Sequence, residues 1–565
     1  MIARKIFPYI VVYVSEGSAH KVIECGTQDG RADMTNFEMD LFDTKINSYA
    51  LEKEESEQCC QHSIIKPACV PVSIISLFIF LIVFFPLFNE DGFDTGSVRY
   101  DRSGYCIDQC RLTIGSRVQL VETIPSVLIF DNSSLTSSST YEVWKKLLDD
   151  AQVSIDVASF YWNLRDPVAH STSWQGNDTF ERFIASAERG VRIRIAQNQP
   201  TTIFPQLDSK YFAENGYATV RNLDMPKLID DNGVLHTKFW IADSRHVYIG
   251  SANMDWKSLT EVKELGIVIW NCTCIANDLY KIFNIYWRLG VRGAKIPYKW
   301  PLNLRTYFNF SHPLQLLSAK DASVFISSSP PQFNAKGRED DGDAIVAVMD
   351  NAHEFVHISV MDYMPATIYR TSNNNTYWPK LDNAIRATAY RGVNVRLLVS
   401  HWKYSRPEMI HFLKSLLEIN EGIPRKANHS GKIEVKLFTI PMDPSREEIP
   451  HALVNHNKYM VTEKIAYFGT SNWAGDYFIN TAGVGISFIS STHVNLLNAI
   501  FVRDWTSKYA KTVREFLNEK QILVVTTVSR EEFASTLKIS GELIVDFQIF
   551  FIDTDVDSGE FTILC

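Results

Sequence analysis

Length, composition and charge set the first limits on this chain. Its 565 residues are too many for one hydrophobic core and enough for two domains with further segments. Hydrophobic residues make up 45% and charged residues 21% of the chain, as is typical of a globular protein. The formal net charge of −9 excludes a broadly basic, nucleic-acid-binding surface at neutral pH, although the 14 histidines would offset much of that charge in an acidic compartment.

One segment near the N-terminus is long and apolar enough to cross a membrane. Residues 67–88 contain no charged side chain, and as a helix these 22 residues would span about 33 Å. The segment starts too far from the N-terminus to be a cleaved signal peptide, and a buried core helix is the alternative interpretation. We therefore expect a cytoplasmic tail at 1–66, a transmembrane helix at 67–88 and a lumenal stalk at 89–120.

Glycosylation sequons and paired cysteines indicate on which side of the membrane the remaining chain lies. The sequons all follow the apolar segment and begin at Asn132, Asn177, Asn271, Asn309, Asn374 and Asn428. Cys106 and Cys110 form one close pair, and Cys272 and Cys274 form another. We favour the disulfides Cys106–Cys274 and Cys110–Cys272 over a four-cysteine zinc site, because the spacings differ from the usual C-x2-C. Disulfides and sequons predict a lumenal or extracellular location after residue 88.

The chain then repeats one order of predicted elements. Each copy has a helix, a strand, and a helix end with a glycine before a buried β-branched strand. These elements lie at 141–150, 153–161 and 189–195 in the first copy, and at 344–351, 355–363 and 391–397 in the second. The repetition predicts α/β layers with a mostly parallel sheet, in a first domain at 121–318 and a second at 319–515. Residues 516–565 have no counterpart, and their role stays open.

Each copy also contains the same short motif. The first is H-x-K-x4-D, from His236 through Lys238 to Asp243, followed by G-S-x-N at 250–253. The second is H-x-K-x4-E followed by G-T-x-N, and its corresponding residues are His456, Lys458, Glu463 and 469–472. Two such motifs with matching flanks make chance a poor explanation. In a strand, the histidine and lysine share a face, which suits two groups that grip one phosphate. The pair predicts one active site built from two halves of a duplicated chain.

The paired motifs resemble those of the phospholipase D superfamily, and in particular its type II membrane branch, phospholipase D family members 3 and 4. The strings that carry the finer resemblance are LHTKFW at 235–240, GSANMDW at 250–256, VKELG at 262–266, VNHNKYMVTE at 454–463 and GTSNW at 469–473. The resemblance extends from about residue 106 to 510. It implies two duplicated α/β/α sandwich domains with one shared active site at their interface. The wider superfamily usually has Asp at the position of Glu463, whereas this branch has Glu.

The resemblance also implies a function. It implies a lysosomal 5′-to-3′ exonuclease that hydrolyses single-stranded DNA and RNA and releases 3′-phosphomononucleotides. The first alternative is a transphosphatidylase that makes bis(monoacylglycero)phosphate from a lysophospholipid. The second is an inactive membrane glycoprotein that only binds, against which both intact motifs weigh. We expect a homodimer in the endoplasmic reticulum, Golgi and late endosome or lysosome, and a soluble lysosomal form if the anchor is cleaved.

The resemblance assigns roles to the two motif histidines. His236 is the nucleophile that forms a phosphohistidine, and His456 is the acid that protonates the leaving oxygen, although the sequence alone permits the reverse. Lys238 and Lys458 hold the non-bridging oxygens. We expect no metal and no cofactor, because these lysines and two motif asparagines supply the needed charge and hydrogen bonds. A neutral nucleophile beside a protonated acid predicts an acidic pH optimum.

Other residues are candidates for supporting roles. Phosphate-binding or supporting side chains are predicted at Ser251, Asn253, Thr470 and Asn472. We expect Asp243 and Glu463 to hold turns rather than to contact phosphate. Glu264, which has Gly483 as its counterpart, is predicted to orient His236; a salt-bridged surface residue is the alternative. Base-stacking side chains are predicted at Phe160, Tyr161 and Tyr363, with core packing as the alternative.

Overall fold

The computed structural model describes residues 118–130, 137–229, 232–316, 322–369, 375–424, 431–446 and 449–518, and the backbone of 550–553 and 561–564. The predicted tail and transmembrane helix lie outside these residues, as do Asn132, Asn374 and Asn428. Among the described residues, no helix has the length and apolar character needed to span a membrane. Only the end of the predicted stalk is described, and there residues 118–120 open the first strand.

The first half of the described chain contains ten strands and six helices. The strands are β1 (Val118–Thr123), β2 (Ser138–Ser139), β3 (Ser154–Ser159), β4 (Trp162–Asn163), β5 (Arg192–Asn198), β6 (Thr219–Leu223), β7 (Phe239–Ala242), β8 (His246–Gly250), β9 (Met254–Asp255) and β10 (Glu264–Ile269). The helices are α1 (Thr140–Asp150), α2 (Trp174–Glu188), α3 (Leu207–Glu214), α4 (Met225–Ile229), α5 (Lys257–Thr260) and α6 (Thr273–Leu289). Eight strands form one sheet in the order β2-β1-β10-β8-β7-β3-β5-β6, and β4 pairs with β9.

The second half repeats this order. Its strands are β11 (Leu314–Gln315), β12 (Ser323–Ser329), β13 (Glu339–Asp340), β14 (Phe355–Val360), β15 (Tyr363–Met364), β16 (Asn394–Ser400), β17 (Lys432–Phe438), β18 (Lys458–Thr462), β19 (Ile465–Gly469), β20 (Trp473–Ala474), β21 (Gly483–Ile489) and β22 (Ala510–Thr512). Its helices are α7 (Asp341–Asp350), α8 (Lys380–Tyr390), α9 (Glu408–Glu418), α10 (Asp476–Ile479) and α11 (Ser491–Thr506). The sheet runs β11-β12-β21-β19-β18-β14-β16-β17-β22, with β13 beside β12. The spatial order β13-β12-β21-β19-β18-β14-β16-β17 in the second sheet therefore corresponds, strand for strand, to β2-β1-β10-β8-β7-β3-β5-β6 in the first. Beyond these, β23 (Phe550–Asp553) pairs with β24 (Phe561–Leu564) within the C-terminal segment.

The prediction of a mostly parallel sheet is wrong, because both sheets are mixed. Only β2-β1, β3-β5 and β5-β6 are parallel pairs in the first sheet. The strand after His236 turns back at once: Asp243 and Ser244 both have positive φ, 51° and 52°, and Arg245 N donates to Ala242 O at 3.0 Å. Such a two-residue turn joins antiparallel strands, and no crossover helix intervenes.

Three hydrophobic clusters hold the layers together. One contains the apolar face of α1 and α2 against the first sheet, and another contains α7, α8 and α9 against the second. The third contains α6, α11 and residues of both halves, including Phe239, Phe283, Ile326, Phe468 and Phe501. The two halves therefore share a continuous core, and residues at their boundary are positioned by packing from both sides.

Two of the predicted disulfide cysteines lie in the described residues. Cys272 and Cys274 are both buried and disulfide-bonded. Their expected partners, Cys106 and Cys110, lie outside the described residues, so the pairing stays a prediction.

Candidate active site

The segment before each H-x-K motif is paired with the opposite half of the chain. His236 N donates to Ala482 O at 2.9 Å, and His456 N donates to Lys263 O at 2.8 Å. Lys263 N in turn donates to Val454 O at 2.9 Å. Lys263 immediately precedes β10, and Ala482 immediately precedes β21, the corresponding strand of the second sheet. Each histidine is therefore fixed by backbone hydrogen bonds across the boundary between the halves.

Both motif lysines are buried beside the histidines. Lys458 Nζ donates to His456 O at 2.6 Å, and Lys238 Nζ donates to His236 O. Burial, together with the charge of Lys458, holds the pKa of Lys238 well below its usual range. Burial also lowers the pKa of Lys458 to about 7. A negatively charged ligand that binds beside these lysines would stabilise their charged forms and raise both pKa values again.

Glu264 contacts His456, so the prediction that it orients His236 is wrong. His456 Nδ1 lies 2.8 and 3.1 Å from the two carboxylate oxygens of Glu264, which is 1% exposed and so is not a surface residue either. Ser251 and Ser258 donate to the same carboxylate at 2.5 and 2.9 Å. Glu264 meets His456 because Lys263, just before β10, exchanges backbone hydrogen bonds with Val454 and His456 of the second half. Burial alone would raise the pKa of Glu264, but His456, Lys458 and the donated hydrogen bonds outweigh burial and lower it.

His236 has a neutral partner instead of a carboxylate. Its Nδ1 lies 3.0 Å from Thr470 O, and a carbonyl accepts only from a protonated nitrogen. The hydrogen-bond partner therefore assigns the proton to Nδ1 and the free electron pair to Nε2. Burial, followed by the charges of Lys238, Lys458 and His456, holds the pKa of His236 well below its usual range.

The lack of space around Gly483 explains why only one of the two motif histidines has a carboxylate partner. Gly483 is the counterpart of Glu264 in the second half. A Cβ there would lie 2.2 Å from Ser471 Oγ and 2.9 Å from Ser329 Oγ. No side chain fits at this position without displacing its neighbours, so His236 receives no carboxylate from the second half.

The last residue of each motif lies at the far end of its strand. The Asp243 carboxylate accepts from the backbone N–H groups of residues 152, 153 and 154 at 2.7–3.2 Å. Glu463 accepts from His353 N at 2.9 Å and Glu354 N at 3.3 Å. These carboxylates fix the start of β3 and β14, next to the motif strands, and their hydrogen bonds are to backbone N–H groups rather than to the motif histidines.

The four predicted supporting residues divide into two kinds. Asn253 and Asn472 line the cavity described below, and the Oδ1 atom of each is buried without a hydrogen-bond partner among the described residues. Ser251 instead braces Glu264, and the hydroxyl of Thr470 accepts from Val484 N at 2.9 Å. The asparagines therefore line the cavity, where Asn472 Nδ2 donates to Asp362 at 3.2 Å and to Tyr477 at 3.0 Å. The two hydroxyls bond to residues behind the site.

The two motif histidines and the two motif asparagines line one cavity of about 1540 Å³. Both halves line it, and His236, His456 and Glu264 reach its surface. It exceeds the usual volume of a small-molecule site, so it has room for the end of a polymer or for a lipid. Among the described residues, no cluster of three His, Cys, Asp or Glu side chains is placed to hold a metal ion.

Aromatic side chains form much of the cavity wall, and sequence reasoning found only part of them. Phe160 and Tyr161 line the cavity, with the Phe160 ring 5.3 Å from that of His236, and their base-stacking role stays a prediction. Tyr363 does not: it is 1% exposed and donates to Asp382 at 2.5 Å, so its predicted base-stacking role is wrong. The lining rings that the sequence did not indicate are Phe204, Tyr369, Trp402, Tyr404, His451 and Tyr477. Most of them lie on loops outside any repeated motif, where no periodicity could identify them.

Comparisons with known proteins agree with this geometry. A protein-family model described as "PLD3/4, PLD-like domain" matches residues 132–443. The chain is 46% identical over 506 residues to a probable phospholipase D, F09G2.8, of Caenorhabditis elegans, covering 86% of this chain and 88% of the relative. It is 43% identical over 473 residues to the 5′-3′ exonuclease PLD3 of Xenopus tropicalis, covering 80% and 92%. Identity to the Homo sapiens 5′-3′ exonuclease PLD3 is 43% over 418 residues, covering 72% and 82%.

Proposed function

Because the chain belongs to the PLD3/4 family of phospholipase D-like proteins, we propose that it is a phosphodiesterase that removes nucleotides from the 5′ end of single-stranded DNA and RNA. Relatives in Xenopus and humans bear the name 5′-3′ exonuclease. One structural observation carries the proposal: His236 and His456 come from different halves and line one cavity, and a buried lysine follows each of them by two residues. We take residues 121–318 and 319–515 as duplicated phospholipase D-like domains that share this site. The matching strand orders support the duplication, although β1 begins at Val118 and β11 (Leu314–Gln315) pairs with the second sheet.

In the first step His236 attacks the phosphodiester after the first nucleotide. Nε2 carries the free electron pair, so a P–N bond forms as the P–O5′ bond breaks. His456, as the imidazolium, gives its Nε2 proton to the departing O5′. Glu264 stabilises that imidazolium through Nδ1, which supports the acid role for His456 and the nucleophile role for His236. The first nucleotide is then bound to the protein through its 3′-phosphate.

In the second step the phosphohistidine is hydrolysed. The neutral His456 accepts a proton from water, and the oxygen attacks phosphorus as the P–N bond breaks. His236 recovers its electron pair, His456 becomes an imidazolium again, and a 3′-phosphomononucleotide leaves. During both steps Lys238 and Lys458 stabilise the charge on the non-bridging oxygens, and Asn253 and Asn472 line the cavity beside them.

The two histidines fit this scheme at acidic pH. The depressed pKa of His236 keeps the nucleophile neutral. Burial lowers the pKa of His456 to about 4 despite the opposing charge of Glu264. A bound phosphate adds negative charge beside His456 and raises its pKa, so the acid is protonated near pH 5 when substrate is present. Activity should therefore peak at acidic pH and fall as His456 loses its proton.

The test uses the full-length protein in mild detergent at pH 5 with a chelator. Its substrate is a 5′-hydroxyl single-stranded DNA, and a 5′-phosphorylated copy and the His456→Ala variant are controls. We expect stepwise release of 3′-phosphomononucleotides by the wild type alone. A parallel arm contains phosphatidylglycerol and a lysophospholipid. Lipid product without nucleotide release would replace the nuclease by a transphosphatidylase.

The cellular location and the assembly of the protein are inferred from its sequence and its exposed side chains. We propose a single-pass type II membrane protein of the endoplasmic reticulum, Golgi and late endosome or lysosome, with its catalytic part in the lumen or released there in soluble form. The apolar 67–88 segment, the sequons and the disulfide-bonded Cys272 and Cys274 support it. We also propose a homodimer, which the exposed Tyr298, Leu302 and Tyr307 support, since a second copy would cover them.

A further inference from the structure

One group of aromatic rings lines the cavity and includes His451, which lies on the chain segment that leads to His456. Tyr404 and His451 stack with their ring centroids 4.7 Å apart and 29° between planes, and the Trp402 ring lies 4.9 Å from Tyr404. His451 lies five residues before His456 in a segment that is held to the first half, where Leu453 N donates to a backbone oxygen at 3.0 Å. The group is therefore tied to the acid, whereas Phe160 packs beside the nucleophile.

The reaction chemistry, which rests on the proposed function, gives the two sides different occupants. The nucleophile and the leaving oxygen occupy opposite apices of the phosphorus during an in-line displacement. His236 is at one apex, so the departing O5′ is at the other, within reach of His456. That oxygen belongs to the second nucleotide. The strand beyond the scissile bond must therefore leave along the wall that contains Tyr404.

The surroundings of Tyr404 suit such a strand. Tyr404 is 47% exposed and lines the cavity, and Lys403 Nζ lies 6.0 Å from its ring centroid. Lys257 and Arg406 line the same cavity and can meet the following phosphates. A second cavity of about 580 Å³ shares Trp402, Tyr404 and His451 with the first, which gives the chain room beyond the rings.

We propose that Tyr404, backed by His451, stacks on the base of the second nucleotide and so binds the leaving strand. Stacking on an aromatic side chain is tolerant of sequence, because every base has a π face. This subsite explains how an enzyme can hold a polymer whose sequence it does not read. It is separate from the binding of the first nucleotide.

The test removes either the Tyr404 ring or the base of the second nucleotide. Full-length wild type, Tyr404→Ala, Tyr404→Phe and Tyr390→Ala are compared on a 5′-hydroxyl oligonucleotide and on a copy whose second nucleotide is abasic. Tyr390 is a matched control, because it is 58% exposed and lies on α8, away from the lining residues. We expect wild type to cleave the first bond of the intact strand with kcat/KM about 5-fold to 10-fold higher than that of the abasic copy, the low end of aromatic stacking. Tyr404→Ala should bring this ratio close to 1, and Tyr404→Phe and Tyr390→Ala should keep it.

The outcomes separate the inference from the function. A wild-type ratio near 1, or an unchanged ratio in Tyr404→Ala, overturns the subsite while nucleotide release still supports the exonuclease. Failure of the wild type to cleave either strand overturns both. A p-nitrophenyl ester of thymidine 3′-phosphate has no second nucleotide, so the ratio of oligonucleotide to ester turnover should fall in Tyr404→Ala by the same factor.

Discussion

Glu264 and His456 belong to different halves of the chain, yet their side chains meet at 2.8 Å inside a buried site. The contact depends on the exchange of backbone hydrogen bonds that brings Lys263 beside Val454 and His456. Neither half could therefore supply a correctly oriented acid by itself. In a duplicated chain, this contact makes the two equivalent histidines chemically different.

Replacement of Glu264 by Gln should change the pH profile as well as the rate. The carboxylate raises the pKa of His456 against burial, so its loss lowers that pKa further. The acid must be protonated, and activity is lost as pH rises through its pKa. The descending limb of kcat should therefore move to lower pH in Glu264→Gln, with kcat reduced by about 10²-fold to 10⁴-fold. An unshifted limb with a smaller kcat would show that Glu264 is structural only.

The pair Lys263 and Asp504 should matter for stability in a way that surface pairs do not. Lys263 Nζ lies 2.7 Å from Asp504 Oδ2, and both side chains are fully buried. Asp504→Asn leaves a buried ammonium without its nearest counterion and should reduce the free energy of unfolding by about 3–5 kcal/mol. Lys146→Ala removes an exposed pair with Asp150 and should change it by less than about 1 kcal/mol. Urea unfolding of both variants measures the difference, and equal losses would contradict the role of burial.

Much of the arrangement was readable in the sequence because it follows from local pattern. The structure places helix Thr140–Asp150 where 141–150 was predicted, and Asp341–Asp350 close to 344–351. The carboxylate of Glu264 was also recognised as a one-sided feature. Its partner was not, because a residue's position along the chain does not reveal which half packs against it.

Tyr363 illustrates the second limit of sequence reasoning. The sequence pattern predicts that Tyr363 and Phe160 lie at equivalent strand ends, but in the structure Tyr363 begins β15. The preceding Asp362 reaches the cavity, whereas Tyr363 is buried in the core. Tyr363→Phe should therefore leave KM for single-stranded DNA unchanged. It should reduce the free energy of unfolding by about 0.5–1.5 kcal/mol, the contribution of its hydrogen bond to Asp382. A raised KM in a stable variant would return Tyr363 to the binding site.

A side chain at Gly483, the counterpart of Glu264 in the second half, should destabilise the protein. A Cβ at this position meets Ser471 Oγ at 2.2 Å, so Gly483→Ala should cost about 1–3 kcal/mol of stability through overpacking. Gly422→Ala is a useful control, because no atom lies within 4 Å of a Cβ there. Thermal unfolding of the two variants would show the contrast, and equal melting temperatures would contradict it.

The two histidines can be told apart by a substrate whose leaving group needs no proton. The p-nitrophenyl ester of thymidine 3′-phosphate releases a stable phenolate, so the first step requires a nucleophile but no acid. His456→Ala should still release p-nitrophenolate in a single burst, because His236 attacks normally. The phosphohistidine should then accumulate, since no base activates water for the second step. His236→Ala should give no burst. Intact-protein mass spectrometry of the quenched reaction at pH 5 would detect the nucleotide bound to His456→Ala. The same adduct on His236→Ala in place of His456→Ala would reverse the assignment and make His456, with Glu264 behind it, the nucleophile.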